Sequence, residues 1–479
     1  MRVSRKWALR KICLATLVFS LVFFTTVGSA LACTTIIVGK NKTEDGSVLV
    51  AHSEELGLNS AQHLVAVPRK EHAPGEVYVS YAGARIPQPP VTYAYIASRI
   101  FEKDYYPGEY TTGVNEFQVT VANNMSWTRG VPEETAWEPP IAGGVIWSEF
   151  THLVLERART AREGVEIMGE LCEKYHLSSD PGTMFAIADP NEGWWIEIAR
   201  DGQWIAQRVP NDAAVMRANS YRVGAVDLND KRNIMHSSNL VEYAVAKGWY
   251  NPESGKPFSF AEVYGEPSNQ EDEYNNLRHR MVDEALTGGK ISKARLMEIM
   301  RWTYEGTPVY KANEETGSPF RTGVRTVSRM NTEISAVAEL RGGMPADIGA
   351  VMWWNLGTAR TGVYVPWYLG TREFCTPFTR GTNHYSDDSA YWAYAEMARL
   401  TDAHYNEVID KVTSTWKSFE ANEFALQKGV EAQALEMYKR DPDSARQFLT
   451  WYSNALGERS YRVARELLAD VKTEAYKEE

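Results

Sequence analysis

The chain has 479 residues, of which 44% are hydrophobic and 11% aromatic. That composition supports a large core in one to three domains and excludes a disordered protein. The formal net charge is −11 at pH 7. An acidic chain repels the phosphates of nucleic acids and of anionic membrane surfaces, so neither is expected as a main partner.

The first 32 residues have the layout of a signal peptide. Residues 1–11 are basic, residues 12–27 are apolar and uncharged, and Ala30-Leu31-Ala32 is an Ala-x-Ala cleavage site. We expect removal of residues 1–32 on export to the periplasm or the extracellular space; an uncleaved membrane anchor is the alternative. The leader carries five basic residues and no acidic one, so its removal takes the formal charge from −11 to −16. No later run of about 18 apolar residues predicts a second membrane span.

Cleavage at this site makes Cys33 the N-terminal residue. Its free α-amine, with an ordinary pKa of about 8, can accept the proton of its own thiol near neutral pH. One residue then supplies both a nucleophile and its general base. A lipid-attachment site and a structural thiol are the alternatives, although lipidation usually requires Leu where this chain has Ala30.

The remaining cysteines of the mature chain are Cys172 and Cys375. They can pair in an oxidising compartment or remain as two buried free thiols, and Cys172 lies on an apolar helical stripe. The sequence contains no CxxC, HExxH or Cys/His cluster, so neither a metal site nor a cofactor is expected.

The mature chain begins with a predicted β-hairpin. Cys33–Val38 and Val48–Ala51 are rich in β-branched residues, and the polar segment Asn41–Gly46 separates them. The hairpin brings His52–Glu55 back toward the first residue. The polar side chains of this segment are therefore candidates for orienting the amine or the substrate, with a solvated strand end as the alternative.

Polar amides follow two later groups of strands. Strands are predicted at His63–Val67, Val91–Ala97 and Val119–Ala122, and the last runs into Asn123-Asn124. Two amides at a strand end can donate to an oxyanion, although Asn pairs more often cap turns.

A helix is predicted over Ser148–His176, where apolar residues recur every three or four positions. A four-stranded antiparallel meander follows, which ends at Asn219. Its predicted strands are Met184–Ala188, Trp194–Ala199, Trp204–Arg208 and Ala213–Ala218.

Residues 250–276 are rich in Pro, Gly, Asn and acidic residues and predict a long loop or lid. A short helix is expected at Ala294–Trp302. Arg329, or alternatively Arg325, can bind a carboxylate or hold the cysteine region by charge; a surface Arg is the other interpretation. The last strands are predicted at Ile334–Leu340, Ala350–Trp354 and Val363–Trp367.

The composition becomes helical from about Ser386, with further helices at Asn422–Lys439 and Ser444–Ala475. We therefore divide the chain into a signal peptide (1–32), a catalytic domain (33–385) and a helical C-terminal extension (386–479).

An ordered set of segments resembles the dipeptidases of family C69, a branch of the N-terminal-nucleophile hydrolases related to bile-salt and penicillin V acylases. The segments run from Cys33–Gly39 through Asp45–Ser47, Gly113–Glu116, Leu153–Glu163 and Phe185–Asp189 to Pro345–Trp353 and Val365–Trp367.

The resemblance implies an α+β fold, a four-layer αββα sandwich with the nucleophile at the start of the first strand. It implies Cys33 as nucleophile and Asn219 beside it. Arg329, with Arg325 as alternative, matches an arginine of the related acylases. Asn124 or Asn123 falls near their oxyanion-hole position.

Two positions depart from the family pattern. Many members have Arg where this chain has His52, and Asp where it has Glu55. His52 supplies positive charge only when protonated, which leaves the roles of both residues open.

The function that the resemblance implies is hydrolysis of short peptides by an exported cysteine dipeptidase, without a cofactor. The alternatives are an acylase that acts on other amides and a non-catalytic exported lipoprotein. Small peptides are the expected partners, and the sequence leaves a homo-oligomer open.

Overall fold

A computed structural model of the chain describes residues 33–56, 60–101, 110–132, 141–178 and 181–477. The predicted signal peptide lies outside the described residues. The described strands are β1 (Thr34–Val38), β2 (Val48–Glu54), β3 (Ala61–Val67), β4 (Lys70–Glu71), β5 (Val77–Val79), β6 (Arg85–Pro87), β7 (Val91–Thr92), β8 (Tyr95–Phe101), β9 (Tyr110–Asn115), β10 (Thr120–Met125), β11 (Gly182–Ala188), β12 (Gly193–Ala199), β13 (Trp204–Val209), β14 (Ala214–Arg217), β15 (Ile234–His236), β16 (Ile334–Leu340), β17 (Ala350–Leu356) and β18 (Val365–Tyr368).

Helices follow β10 and fill most of the C-terminal region. They are α1 (Trp147–Leu155), α2 (Ala161–Tyr175), α3 (Leu240–Ala246), α4 (Phe260–Tyr264), α5 (Pro267–Gln270), α6 (Glu273–Ala285), α7 (Lys293–Met300), α8 (Ala346–Gly349), α9 (Thr376–Thr379), α10 (Ala390–Ala403), α11 (Tyr405–Arg440) and α12 (Pro442–Ala475), with 3-10 turns at Pro252–Ser254 and Ala359–Thr361. Among the described residues, no helix combines the length and the apolar composition that a membrane span requires.

Two antiparallel sheets form the centre of the fold. The six-stranded sheet has the order β14-β1-β2-β16-β17-β18, and the eight-stranded sheet has the order β15-β13-β12-β11-β10-β9-β8-β3. β1 is buried along its whole length because both faces of its sheet are covered. Ile37 and Val50 join a core shared with Ile96 and Ala186 of the eight-stranded sheet, so the two sheets face each other.

Helices cover the outer face of each sheet. Phe150 of α1 and Val165 of α2 pack on Ile187 of the eight-stranded sheet. Val282 of α6 and Leu296 of α7 pack in the same cluster as the outward side chains of β1. The order of layers is helix, sheet, sheet, helix, which confirms the predicted αββα sandwich.

The C-terminal helices share the core of the six-stranded sheet. Trp416 of α11 and Leu467 of α12 cluster with Trp354 and Trp367. Residues Ala32–Glu479 accordingly form one compact unit. The sequence predicted one helical face over residues 405–419 and a further helix from Asn422, whereas a single helix, α11, runs through both segments.

Several local predictions differ from the structure. The helix predicted over Ser148–His176 is two helices, since α1 ends at Leu155 and a new cap at Thr160 accepts a hydrogen bond from Glu163 N. The strand predicted at Val91–Ala97 is divided between β7 and β8.

The predicted meander contains three of its four strands, because β14 pairs with β1 in the other sheet and β15 takes the place beside β13. Gly39 allows this crossing: a Cβ there would lie 2.5 Å from Asn211 O, at the point where the chain turns into β14.

The segment 250–276 is not a simple loop. It contains α4 and α5 and the start of α6. Cys172 and Cys375 are buried free thiols, which confirms the unpaired interpretation. They pack in different core clusters, Cys172 on the buried face of α2 and Cys375 in the cluster that contains Trp367.

Candidate active site

The site is built around Cys33, which directly precedes β1 and is only 1% exposed. β1 pairs with β2 so that Thr34 lies opposite Ser53 and Thr35 opposite His52. Extending this antiparallel register by one residue sets Glu54 opposite Cys33. The hairpin therefore brings the end of β2 to Cys33, as predicted from the sequence.

The Cys33 thiol is held protonated. Its Sγ atom donates a hydrogen bond of 2.9 Å to Glu54 Oε1. Burial raises the pKa of the thiol well above its usual value, and the negative charges of Glu54 and Glu55 raise it further. A thiolate forms here only when another group takes the proton during attack on a substrate.

Asn124, at the end of β10, fixes the backbone around Cys33. Its Nδ2 atom donates to the carbonyl oxygens of Cys33 (3.2 Å), Arg217 (3.1 Å) and Ala218 (2.8 Å). Three carbonyl acceptors define the orientation of the amide. Its Oδ1 atom therefore faces Thr35, whose hydroxyl donates to it at 2.6 Å.

These contacts determine where the proton of His52 lies. The hydroxyl hydrogen of Thr35 is used on Asn124, so the 2.7 Å contact between Thr35 Oγ1 and His52 Nδ1 is donated by the ring. His52 Nε2 then faces Glu54 Oε2 at 3.3 Å. The ring therefore bridges Thr35 and Glu54, and it is an ion-pair partner of Glu54 only when it is protonated.

A second network joins Cys33 to Asn219 through Arg278 of α6. The guanidinium is fully buried. Its Nη1 atom donates to Cys33 O (3.0 Å) and Thr34 Oγ1 (3.3 Å), and its Nη2 atom donates to Oδ1 of Asn219 and of Asn275, both at 2.7 Å. This forked geometry ties the start of β1 to the segment after β14.

Glu55 is a buried carboxyl group next to this network. Its Oε1 atom accepts from Ser53 Oγ at 2.8 Å, whereas its Oε2 atom has no hydrogen-bond partner among the described residues. Burial raises the pKa of Glu55 from its ordinary 4.5 to about 7, and the charges of Arg278 and Arg329 oppose that rise. Glu55 therefore exchanges its proton near neutral pH.

Arg329 contributes positive charge to the same region. Burial lowers the pKa of Arg329, and the charges of Glu55 and Cys33 partly offset this lowering. Its Nη1 atom is buried without a hydrogen-bond partner among the described residues. Arg325, the alternative, lies with its guanidinium over the ring of Tyr274, 5.1 Å from the centroid.

Comparison with known proteins decides the family. The sequence model described as Peptidase family C69 matches residues 32–418. The chain belongs to peptidase family C69. A "Probable dipeptidase" of Latilactobacillus sakei is 25% identical over 476 residues, which cover 92% of this chain and 95% of that protein. A "Probable dipeptidase" of Salmonella dublin is 28% identical over 371 residues, 73% of this chain and 83% of that protein.

Two solved structures were also found. A conjugated bile acid hydrolase from Clostridium perfringens aligns with a TM-score of 0.32 at 12% identity, over 74% of this chain and 98% of that chain. A penicillin V acylase from Agrobacterium tumefaciens aligns with a TM-score of 0.29 at 12% identity, over 70% and 86%.

In this C69 peptidase, most residues singled out from the sequence lie in one cluster. His52 and Asn124 join one hydrogen-bond network around Cys33, and Asn219 joins the other. Glu55 and Arg329 lie within electrostatic range of the thiol.

The amides of the two asparagines are not equivalent. Both N–H groups of Asn124 are committed to three carbonyl oxygens, so none remains for an oxyanion. Asn219 Nδ2 donates to Met125 O at 3.1 Å, which leaves its second N–H. The geometry thus gives Asn124 a positioning role and leaves Asn219 able to donate to a substrate.

Sequence reasoning missed Arg278, and it named Glu54 only as one of the polar residues of His52–Glu55, without a role of its own. Arg278 lies just beyond the segment interpreted as a loop, but Asp272 caps α6 by accepting from Asn275 N. A cap followed by apolar residues at Leu277 and Met281 is a helix signal. Glu54 was detectable from the hairpin register, which places it opposite Cys33.

Proposed function

We propose that this C69 peptidase is an exported dipeptidase in which the Cys33 thiol is the nucleophile and the α-amine of the same residue is the general base. One observation carries the proposal. The thiol is buried at the start of an inner strand and hydrogen-bonded to a carboxylate. The relatives described as probable dipeptidases support two-residue peptides as substrates. The Ala-x-Ala site before Cys33 supports export and release of the amine.

The reaction begins when the α-amine takes the thiol proton, directly or through a water molecule, and the sulfur bonds to the peptide carbonyl carbon. Backbone N–H groups and the second N–H of Asn219 stabilise the oxyanion, at ~3 kcal/mol per donor. The protonated amine then gives its proton to the leaving nitrogen as the C–N bond breaks. Water hydrolyses the resulting thioester and restores the thiol.

The charged residues around Cys33 have distinct tasks in this scheme. Glu55, whose Oε2 atom has no hydrogen-bond partner in the described part of the chain, orients the liberated α-amine. Arg329 supplies positive charge for the carboxylate of the peptide. Arg278 and Asn124 hold the Cys33 carbonyl oxygen and so position the residue.

The first test is the state of the N-terminus. N-terminal sequencing and intact-mass measurement of the exported protein are expected to give an unmodified Cys33. A diacylated Cys33 would support the lipoprotein alternative, and an end at another residue would remove the proposed base.

The second test is kinetic. Cys33→Ala and Cys33→Ser are expected to lose dipeptide hydrolysis by more than about 10³-fold while folding normally. Cys172→Ala, which alters a buried thiol in a different layer, is the matched control and is expected to keep its activity. Hydrolysis of dipeptides at the wild-type rate by Cys33→Ala would contradict the mechanism. A comparison of the hydrolysis rates of dipeptides, a conjugated bile acid and penicillin V by the wild-type enzyme distinguishes the peptidase from the acylase alternative.

A further inference from the structure

Glu54 has a contact set that the proposed mechanism does not use. It is 1% exposed, and its Oε1 atom lies 2.9 Å from the Cys33 sulfur. Within the described part of the chain its ion-pair partner is His52, which is charged only when protonated, and no Lys or Arg pairs with it. A buried carboxylate without a permanent cation costs free energy unless a positive group reaches it.

We propose that Glu54 is the receptor for the α-ammonium group of the substrate, so that the enzyme selects peptides with a free N-terminus. This inference rests on the proposed function, because it assumes that Cys33 attacks the carbonyl of the first residue. A carboxylate beside the attacking sulfur is the feature that distinguishes an unblocked peptide from an N-acylated amide.

The covalent geometry of a dipeptide fits this assignment. In the first residue, one Cα atom separates the α-nitrogen from the scissile carbonyl carbon, which places them about 2.5 Å apart. A sulfur poised for attack lies about 3–3.5 Å from that carbon. The ammonium group thus comes within about 5 Å of the sulfur. Glu54 Oε1 lies 2.9 Å from the same sulfur, so an ammonium group on the Glu54 side of the sulfur comes within hydrogen-bond reach of the carboxylate.

The second buried carboxyl group supports a cationic ligand. Glu55 follows Glu54 and has an Oε2 atom that is buried and without a hydrogen-bond partner among the described residues. After processing, two amines are present in this region, one on Cys33 and one on the substrate. Two carboxyl groups beside the thiol provide one acceptor for each.

The arrangement also couples substrate recognition to activation of the thiol. The charge of Glu54 raises the pKa of the Cys33 thiol. An ammonium group bound to Glu54 offsets that charge and so favours the thiolate. A substrate without the ammonium group leaves the charge of Glu54 acting on the thiol, which stays protonated. Selectivity is therefore expected in kcat as well as in KM.

A matched pair of substrates tests the assignment. Ala-Phe and propionyl-Phe differ only in that the α-amine is replaced by hydrogen. Wild type is expected to prefer Ala-Phe in kcat/KM by about 100-fold or more. Glu54→Gln is expected to lower kcat/KM for Ala-Phe by at least about 50-fold. It is not expected to lower kcat/KM for propionyl-Phe, because the variant also loses the negative charge that keeps the Cys33 thiol protonated, so the preference collapses.

The conservative variant Glu54→Asp keeps the charge at shorter reach and is expected to show an intermediate preference; it also replaces Glu54→Gln if that variant does not fold. If Glu54→Gln loses kcat/KM equally on both substrates, Glu54 acts on the Cys33 thiol or on the α-amine of Cys33, and its assignment as the substrate receptor is overturned. If the wild-type enzyme hydrolyses both substrates equally, the proposed hydrolase function stands but Glu54 is not a receptor for the substrate ammonium group. Wild type inactive on Ala-Phe and other dipeptides would overturn the proposed function itself.

Discussion

Arg278 and Cys33 are 245 positions apart in the chain, yet Arg278 Nη1 donates a 3.0 Å hydrogen bond to the carbonyl oxygen of Cys33. The same guanidinium donates to Asn219. A helix packed on the outer face of the six-stranded sheet thus reaches through to the start of β1. The position of the thiol depends on this contact as well as on the hairpin.

Arg278→Met keeps the apolar stem and removes the hydrogen-bond donors. We expect a loss of about 3–5 kcal/mol in the free energy of unfolding, because buried acceptors on Cys33, Asn219 and Asn275 lose a charged donor. Urea denaturation measures this loss. Arg280→Ala on the exposed face of the same helix is the control and is expected to change stability by less than about 0.5 kcal/mol.

Arg278→Lys separates charge from geometry. Lysine retains the positive charge but lacks the fork that bonds Cys33 O and Asn219 Oδ1 at once. We expect kcat/KM on a dipeptide to fall by about 100-fold, since a small displacement of the thiol impairs attack. Unchanged kinetics in this variant would show that charge alone suffices.

Glu55 predicts a pH dependence of stability. Its pKa rises from 4.5 to about 7 on folding because the carboxyl group is buried. Between these values the folded protein holds a proton that the unfolded chain has released, so a rise in pH favours unfolding. The contribution of Glu55 is therefore lost as pH rises from 4.5 to about 7, on the order of 3 kcal/mol.

Glu55→Gln removes this titration. The variant is expected to gain stability relative to wild type as pH rises through that window, as measured by chemical denaturation at several pH values. A constant difference between the two proteins across the window would contradict the raised pKa of Glu55.

Thr35 links His52 to Asn124 through one hydroxyl. Thr35→Val keeps the shape of the side chain but leaves His52 Nδ1 and Asn124 Oδ1 buried without this partner. We expect a loss of roughly 2–3 kcal/mol in the free energy of unfolding. Thr35→Ser retains the hydroxyl and is expected to cost less than about 1 kcal/mol; equal losses would assign the effect to packing.

Gly193 allows the two sheets to approach each other beside β1. A Cβ atom there would lie 2.5 Å from Cγ2 of Ile37, a buried side chain of β1, the strand that follows Cys33. Gly193→Ala is expected to destabilise the protein by about 1–3 kcal/mol through overpacking. Gly289→Ala, where nothing lies within 4 Å, is the control and should leave the melting temperature nearly unchanged.

Much of the fold was predictable because its signals are local. β-branched runs and turn residues predicted the β1–β2 hairpin and most strands of both sheets. The amides at Asn124 and Asn219 were recognisable as polar residues that end buried strands. The two layers of helices follow from the resemblance to family C69, not from periodicity alone.

The interior of the site was less predictable. The predicted meander assigned β14 to the eight-stranded sheet, because a short turn after a strand usually returns the chain to the same sheet. The close approach of Gly39 to Asn211 directs β14 to β1 instead. That pairing is what places Asn219 near Cys33.

The sequence by itself determined the position of Cys33 after a predicted cleavage site, the hairpin that begins there and the carboxyl groups at the end of that hairpin. Each depends on residues that are near one another along the chain, where periodicity and turn chemistry act. Only the tertiary structure decided that Arg278 and Asn124 both donate hydrogen bonds to the carbonyl oxygen of Cys33. It also decided that the Cys33 thiol donates a hydrogen bond to Glu54. Those contacts depend on strand partners and helix packing, which are set by long-range burial and not by local pattern.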